Sequence, residues 1–318
     1  MYLFIINPRS GGGAGGRTWH TVEGLMKERN LPYRALFTHS ANGAEALVHS
    51  TLTHHEDWKA AIVIGGDGTL HSILGAMRGK DLPLAVIPAG SGNDTARGFG
   101  IPLATEAALE AALSGRFIEA DLLSGADGLT MTAVASGFDA QVAENVNTSW
   151  YKRVCNAIGL GQLAYIIGIL HTLITFKPCR VSVACDGKEH VFEKAWLVSI
   201  CNLPSYGGGF LICPQAKADD GQLDVCVVHG CSRGQLLRLF PTVLKGKHVA
   251  LPFVSMLRGR SVAVKFAEAR PAIGDGESLG RGPLAVRCEP GALRVLSPLA
   301  AKCAQLPLDT AAACCESY

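Results

Sequence analysis

Three short apolar runs in the first hundred residues, at 2–6 (YLFII), 60–64 (AAIVI) and 83–87 (PLAVI), each lead into a glycine-bearing loop. Continuous apolar runs of this length, without polar alternation, are the pattern of strands buried on both faces. A further strand is predicted over 33–38, and helical patterns run over about 18–30, 43–53 and 69–79. Strand alternating with helix predicts a parallel α/β sheet over residues 1–120. In such sheets ligands gather in the loops beyond the carboxyl ends of the strands.

The pattern changes at about residue 121. Short β-rich runs recur at 130–135, 180–185, 190–200, 223–229, 261–266, 284–288 and 292–296, separated by Gly, Pro and Asp turns. These predict a β-rich, sandwich-like second domain over 121–297, followed by an alanine-rich, loosely docked tail over 298–318. At 318 residues and 48% apolar content, the chain can bury two cores, which excludes disordered and low-complexity classes. A net charge of only +2 excludes a nucleic-acid protein that relies on overall basicity. All 11 cysteines lie at or beyond Cys155 and none forms a CxxC pair, so they read as reduced thiols of a cytoplasmic protein. The first apolar run lacks a charged flank and is too short for a signal peptide.

The residues at the strand ends carry the chemistry. Asn7-Pro8-Arg9-Ser10 is followed by Gly11, Gly12, Gly13, Gly15 and Gly16. Glycine after a strand lets backbone N–H groups approach an anion closely. Gly65-Gly66-Asp67-Gly68-Thr69 follows the second run, and its peptide N–H groups can form a concave nest for phosphate. A carboxylate among them would repel phosphate, so Asp67 reads as the holder of a Mg²⁺ ion, directly or through water. The third loop, Gly90-Ser91-Gly92-Asn93-Asp94 with Arg97 one turn later, adds a second carboxylate and a cation. Gly274-Asp275-Gly276-Glu277, in the second domain, offers two carboxylates suited to a metal and a general base.

Two stretches of the second domain bear on a partner. Residues 154–176 contain no Asp, Glu, Lys or Arg, and Leu160, Leu163, Ile167, Leu170 and Ile174 share one helix face. A packed structural helix, a membrane-surface helix and a membrane span all fit this pattern. Residues 233–260 carry six Lys or Arg and no acidic residue, which fits either a solvated basic face or attraction to an anionic membrane surface.

In this order and spacing the NPRSG, GGDGT, GSGND and DGE motifs resemble the diacylglycerol kinase catalytic-domain family, in a compact bacterial form similar to sphingosine and ceramide kinases. GGDGT alone would also fit NAD kinases and phosphofructokinase relatives; GSGND followed by ARGFGIP separates the lipid kinases from both. The resemblance implies a phosphofructokinase-like first domain and ATP bound by Asn7, Pro8, Arg9, Ser10, Gly11, Thr38, Gly66, Asp67, Gly68, Thr69, Leu70, His71, Ser72 and Ser91. It also implies that Glu277 accepts the proton of a lipid hydroxyl, with Asp67, Asp94, Asp121 and Asp275 in a Mg²⁺ and water network. A structural Mg²⁺ would be held by the Asp220 carboxylate and the backbone carbonyls of Lys217 and Gln222. The implied partners are ATP, a membrane lipid acceptor and an anionic membrane surface, with the protein peripheral at the inner face. The chain departs from its relatives at Gly12 and Gly13, where they often carry a basic residue, at Ser91 for the commoner threonine, and at Thr95 for an aromatic. Arg17 is the candidate replacement for the missing cation.

Overall fold

The predicted runs of the first third are the strands of one parallel sheet. In the computed structural model, which describes residues 1–38, 43–53, 57–149 and 161–299, β1 (Tyr2–Ile6) pairs in parallel with β2 (Tyr33–Phe37) and β3 (Ala60–Gly65). β3 in turn pairs in parallel with β4 (Leu84–Pro88), so the order is β2-β1-β3-β4. Every residue of β3 and β4 is buried, which is why neither run alternates. Helix α1 (Ser10–Glu28) lays Trp19, Val22 and Met26 into the core, with the Trp19 ring 5.2 Å from Phe4 and 5.6 Å from Tyr33.

Other helices of this unit are α2 (Ala44–Thr53), α3 (Asp67–His71), α4 (Leu74–Met77), α5 (Asp94–Gly98) and α6 (Thr105–Leu113). The helix expected over 69–79 is two short pieces, because Ile73 leaves helical geometry at φ −123° and ψ 0°. The chain divides into two units, Met1–Ala120 with the segment from Gly291 onward, and Asp121–Pro290. The last strand, β15 (Leu284–Leu296), ends in the first unit, where Val295 pairs in parallel with Leu84. The predicted tail falls on 300–318 almost entirely and lies outside the described residues.

The second unit holds the end of β5 (Phe117–Gly125), then β6 (Gly128–Thr130), β7 (Ala133–Gly137), β8 (Cys179–Cys185) and β9 (Lys188–Cys201). It continues with β10 (Leu223–His229), β11 (Val254–Gly259), β12 (Ser261–Phe266), β13 (Pro271–Gly274), β14 (Glu277–Arg281) and the start of β15. The first half of the 14-residue β9 pairs antiparallel with β8, and its second half lies between β7 and β10. Strand β9 thus joins the β8 side of the sheet to its β7 and β10 side. Alternation on β10 shows the consequence: Val225 and Val227 join Val183 and Val264 in one core, while Cys226 and Val228 face a second core with Phe138, Phe176 and Leu236. Helices α7 (Phe138–Thr148), α8 (Gly161–Thr175) and α9 (Arg233–Val243) supply that second core. A strand covered on both sides needs apolar residues on both faces, hence the apolar run 225–228 within β10. Cys185, Cys201, Cys213, Cys226 and Cys231 are buried free thiols.

Candidate active site

Because β1, β3 and β4 are parallel and adjacent, their carboxyl ends bring the three glycine-bearing loops side by side. The loops touch through backbone. A Cβ on Gly90 would stand 2.4 Å from the Gly66 Cα, and one on Gly11 would stand 2.4 Å from the Ala89 carbonyl oxygen. Gly11, Gly12 and Gly13 hold φ values of 55°, 64° and 91° in succession. Such left-handed geometry costs an L-residue about 1–2 kcal/mol per position. A basic side chain at position 12 or 13 would carry that cost. Instead, the Arg17 guanidinium Nη1 comes to 3.4 Å from the position of a Cβ on Gly13.

Two asparagines fasten the loops. Asn7 accepts the Arg9 N–H on Oδ1 and donates from Nδ2 to Thr69 Oγ1, both at 3.1 Å, linking the first loop to the second. Asn93, itself at φ 55°, accepts the Gly90 N–H at 2.8 Å and donates to the Gly90 carbonyl at 2.9 Å, closing the third loop. Asp67 joins the second loop to the third: Oδ2 accepts the Asp94 N–H at 3.1 Å and Oδ1 the Thr95 N–H at 3.0 Å. A Cβ on Gly92 would lie 2.9 Å from Asp67 Oδ2 and 3.4 Å from Asp94 Oδ2, so the two carboxylates turn toward one small space. The Arg97 guanidinium donates to the Gly92 carbonyl and meets Asp94 Oδ1 at 3.4 Å.

This donor set fits Mg²⁺. Each Asp67 oxygen that accepts one N–H keeps a second lone pair, and the donors are hard oxygens. No cluster of three or more His, Cys, Asp or Glu forms a ready-made cage among the described residues. Mg²⁺ is commonly held by one or two carboxylates together with phosphate and water, so a pair is the expected protein share.

The remaining residues of the first unit divide by exposure. Ser91 is exposed on the third loop, and Gly66 and Gly68 are half-buried. The Ser10 hydroxyl faces Gly66, 3.5 Å from where a Cβ would stand. Thr38 is buried beyond β2, with its N–H and Oγ1 both donating to the Ile6 carbonyl, at 2.8 and 3.3 Å. Leu70 is a core side chain, and Ser72 Oγ donates to the Thr69 carbonyl at 2.8 Å.

In the second unit Asp275 and Gly276 form the turn between β13 and β14, with φ 50° and 87°. Two consecutive left-handed residues match the twist of a tight hairpin, which Asp-Gly favours. The Asp275 carboxylate is occupied by backbone: Oδ2 accepts from Met131 and Oδ1 from Thr132, both at 2.8 Å. Glu277 stands exposed at the start of β14, paired in register with Gly274. Asp275 therefore pins the hairpin that presents Glu277.

Asp121 is buried and bound to the 217–223 segment. Its N–H donates to the Ala218 carbonyl at 2.5 Å, and its Oδ2 accepts the Gly221 N–H at 2.7 Å. Asn202, which the sequence reading missed, donates to the carbonyls of Asp121 and Met131 at 2.8 and 2.9 Å. Asp220 accepts the Gln222 N–H at 3.1 Å and pairs with the Arg258 guanidinium. Asp224 Oδ2 is buried with no hydrogen-bond partner among the described residues; Arg258 Nε lies 3.6 Å away. Burial raises the Asp224 carboxyl above its usual range, against the pull of Arg258. Two carboxylates facing one guanidinium, with an orphaned oxygen, leave an anionic surplus that fits a hard cation beside Asp220.

A second polar centre was also missed. Asp139, in the first turn of α7, receives the Tyr206 hydroxyl, which in turn shares a 2.6 Å hydrogen bond with Ser199 Oγ. Burial pushes the Asp139 carboxyl up to about 6, against the hydrogen bonds from Tyr206 and the Ala140 N–H. An acid in a first helical turn is visible in sequence, but its meeting with residues 60 or more positions away is not.

Two family models match the chain: the diacylglycerol kinase catalytic domain over residues 1–124, and the YegS C-terminal NAD kinase beta sandwich-like domain over 132–297. A diacylglycerol kinase of Mycobacterium tuberculosis is 34% identical over 300 residues, covering 92% of this chain and 94% of the relative. A diacylglycerol kinase of Staphylococcus carnosus is 26% identical over 282 residues, covering 88% and 89%. A crystal structure of a diacylglycerol kinase from Bacillus anthracis superposes with a TM-score of 0.68 at 19% identity, covering 94% of this chain and 97% of that one, a likeness of fold. With its glycine loops, its acid pair and its sandwich-like second unit accounted for, the chain belongs to the diacylglycerol kinase catalytic-domain family, in the two-domain form with a YegS-type C-terminal domain.

Proposed function

We propose that the protein is an ATP- and Mg²⁺-dependent lipid kinase that phosphorylates the hydroxyl of a diacylglycerol-like lipid from the cytoplasmic side of a membrane. The observation that carries this reading is the meeting of three glycine loops from adjacent parallel strands around the Asp67 and Asp94 carboxylates. Backbone N–H groups freed of side chains suit a polyphosphate, and phosphoryl transfer asks a protein chiefly for positioning and charge neutralisation.

Asn7 to Gly11, Gly66 to Ser72 and Ser91 hold ATP in this reading, and Thr38 shapes the loop ends through its bonds to Ile6. Arg17 supplies the phosphate-facing cation that Gly12 and Gly13 do not. Asp67 and Asp94 would hold Mg²⁺, which when bound neutralises phosphate charge. Glu277 takes the proton of the lipid hydroxyl as that oxygen forms its bond to the γ-phosphorus. The bond from the γ-phosphorus to the β–γ bridging oxygen breaks, and ADP leaves. Asp275 and Asp121 act as positioning residues, the first on the Glu277 hairpin and the second on the 217–223 segment. Lys217, Asp220 and Gln222 would hold a structural Mg²⁺ that relieves the carboxylate surplus beside Arg258.

The test is transfer of labelled γ-phosphate from ATP, with Mg²⁺ or with chelator, to a panel of hydroxyl lipids in mixed micelles, with NAD and fructose 6-phosphate as soluble acceptors. A labelled lipid, absent under chelation, is the expected result. Label on NAD would assign a soluble-substrate kinase, and bound ATP with no product on any acceptor would assign a nucleotide sensor.

A further inference from the structure

Helix α8 shows an unexpected face. Of the apolar stripe read from its sequence, Ile167, Leu170 and Ile174 are 37%, 47% and 73% exposed. The opposite side holds the helix to the protein, with Leu173 and Phe176 in the core and buried Thr172 bonded to Asn145 of α7 at 2.9 Å. Leu160 lies outside the described residues.

Helix α9 abuts the end of α8. The Arg233 guanidinium donates to the carbonyls of Leu173, Ile174 and Phe176 at 2.8, 3.2 and 3.1 Å, so the first turn of α9 lies against the end of α8. From Arg233 the exposed face continues at steps of four and three residues through Leu237 (48% exposed) to Leu244 (56%), just past the helix end. Beside these apolar side chains stand the exposed Arg238 and Lys245. Leu236, Leu239 and Val243 on the inner side fix α9 to the same core that holds α8.

We infer that the outward faces of α8 and α9 form one docking surface for an anionic lipid bilayer, on which both helices lie flat. The inference deepens the proposed function by naming where a lipid kinase would meet its membrane. Apolar side chains at the acyl boundary flanked by cations at the headgroups are the pattern of interfacial helices. No helix among the described residues is long and apolar enough to cross a membrane. Charge favours the bilayer as the occupant: α8 carries no charged residue and 233–260 no acidic one, so the only charges this face offers are cations, complementary to anionic headgroups.

The experiment is flotation of the full chain with vesicles of phosphatidylcholine alone or mixed with phosphatidylglycerol, alongside sedimentation without lipid. Expected is binding to the mixed vesicles that weakens at least tenfold when salt is raised from 0.1 to about 0.5 M, with little binding to phosphatidylcholine alone. Arg238→Glu with Lys245→Glu, and separately Ile174→Asp with Leu237→Asp, should each lower partitioning at least tenfold. All four side chains are exposed, so the fold should hold, which thermal melting checks. Unchanged partitioning in both variants overturns the inference. So does a lipid-free dimer that Ile174→Asp dissolves, which would make the face an interface between copies. Turnover on a short-chain, water-dispersed diacylglycerol separates the two readings. Activity there without vesicle binding defeats the surface alone, and vesicle binding without turnover on any lipid defeats the kinase alone.

Discussion

In the first unit the site is drawn by backbone, and in the second by side chains. Gly11, Gly66 and Gly90 bring three loops into contact that no Cβ could enter, and the side chains that matter most there, Asn7, Asn93 and Asp67, bond to the loops themselves. In the second unit Asp121, Asn202 and Asp275 reach across the chain to hold strands and turns, over separations of 71 to 144 residues. A backbone site is local in sequence, because the loop that makes it is also the motif. A side-chain site is assembled from distant positions and leaves no contiguous trace.

The largest expected effect tests whether both units contribute to one reaction. Asp67→Ala in the first and Glu277→Gln in the second should each lower kcat for lipid phosphorylation at least a hundredfold, the lower end of what general-base catalysis supplies. Near-full turnover in Glu277→Gln would leave the second unit without a chemical role.

Gly90→Ala probes the backbone site next. The new methyl would stand 2.4 Å from the Gly66 Cα, and overpacking of that kind costs about 1–3 kcal/mol. Melting temperature and ATP affinity should both fall. Gly12→Ala, whose Cβ would meet nothing within 4 Å, carries only the left-handed penalty of about 1–2 kcal/mol. Equal losses in the two variants would mean that loop contact does not matter.

The side-chain regime has a pH signature. Asp139 titrates at about 6 in the folded chain against 3.8 for an ordinary aspartate. The native state therefore binds this proton more tightly, so the group's contribution is greatest below 3.8 and is lost as pH rises through about 6. The whole difference is about 3 kcal/mol at most. Tyr206 and Cys226, which face it, are both raised by burial and stay neutral in that window. Asp139→Asn should flatten the decline of stability across the window, measured by denaturant unfolding as a function of pH. An unchanged slope would place the titration elsewhere.

The smallest effect concerns Asp220. Mg²⁺ several-fold above its Kd should stabilise the wild type by about 1 kcal/mol in calorimetric melting, and Asp220→Asn should abolish the gain. Equal stabilisation in both would remove the cation from this segment.

Much of the first unit was legible. Its four strands fall within a residue or two of the predicted runs; in β1, β3 and β4 burial forces a nearly uninterrupted hydrophobic sequence, whereas β2, at the end of the sheet, stays partly exposed. The break at Ile73 was not, since it lies inside a continuous helical pattern. On α8 the periodicity was read and its direction was open: spacing places Ile167, Leu170 and Ile174 on one face, but Leu173 and Phe176 give the opposite face an apolar anchor too.

Local sequence suffices for the parallel sheet, the three loops beyond its strands and the placing of Asp67 and Asp94 in them, because glycine and carboxylate act there within a few residues of a strand end. Packing between distant segments is what ties Asp275 to the backbone of Met131 and Thr132 and leaves Glu277 exposed, bonds Asp139 to Tyr206, and turns Ile167, Leu170 and Ile174 of α8 outward. Those outcomes depend on which surfaces other elements cover, and coverage is a property of packing between distant segments that no local pattern encodes.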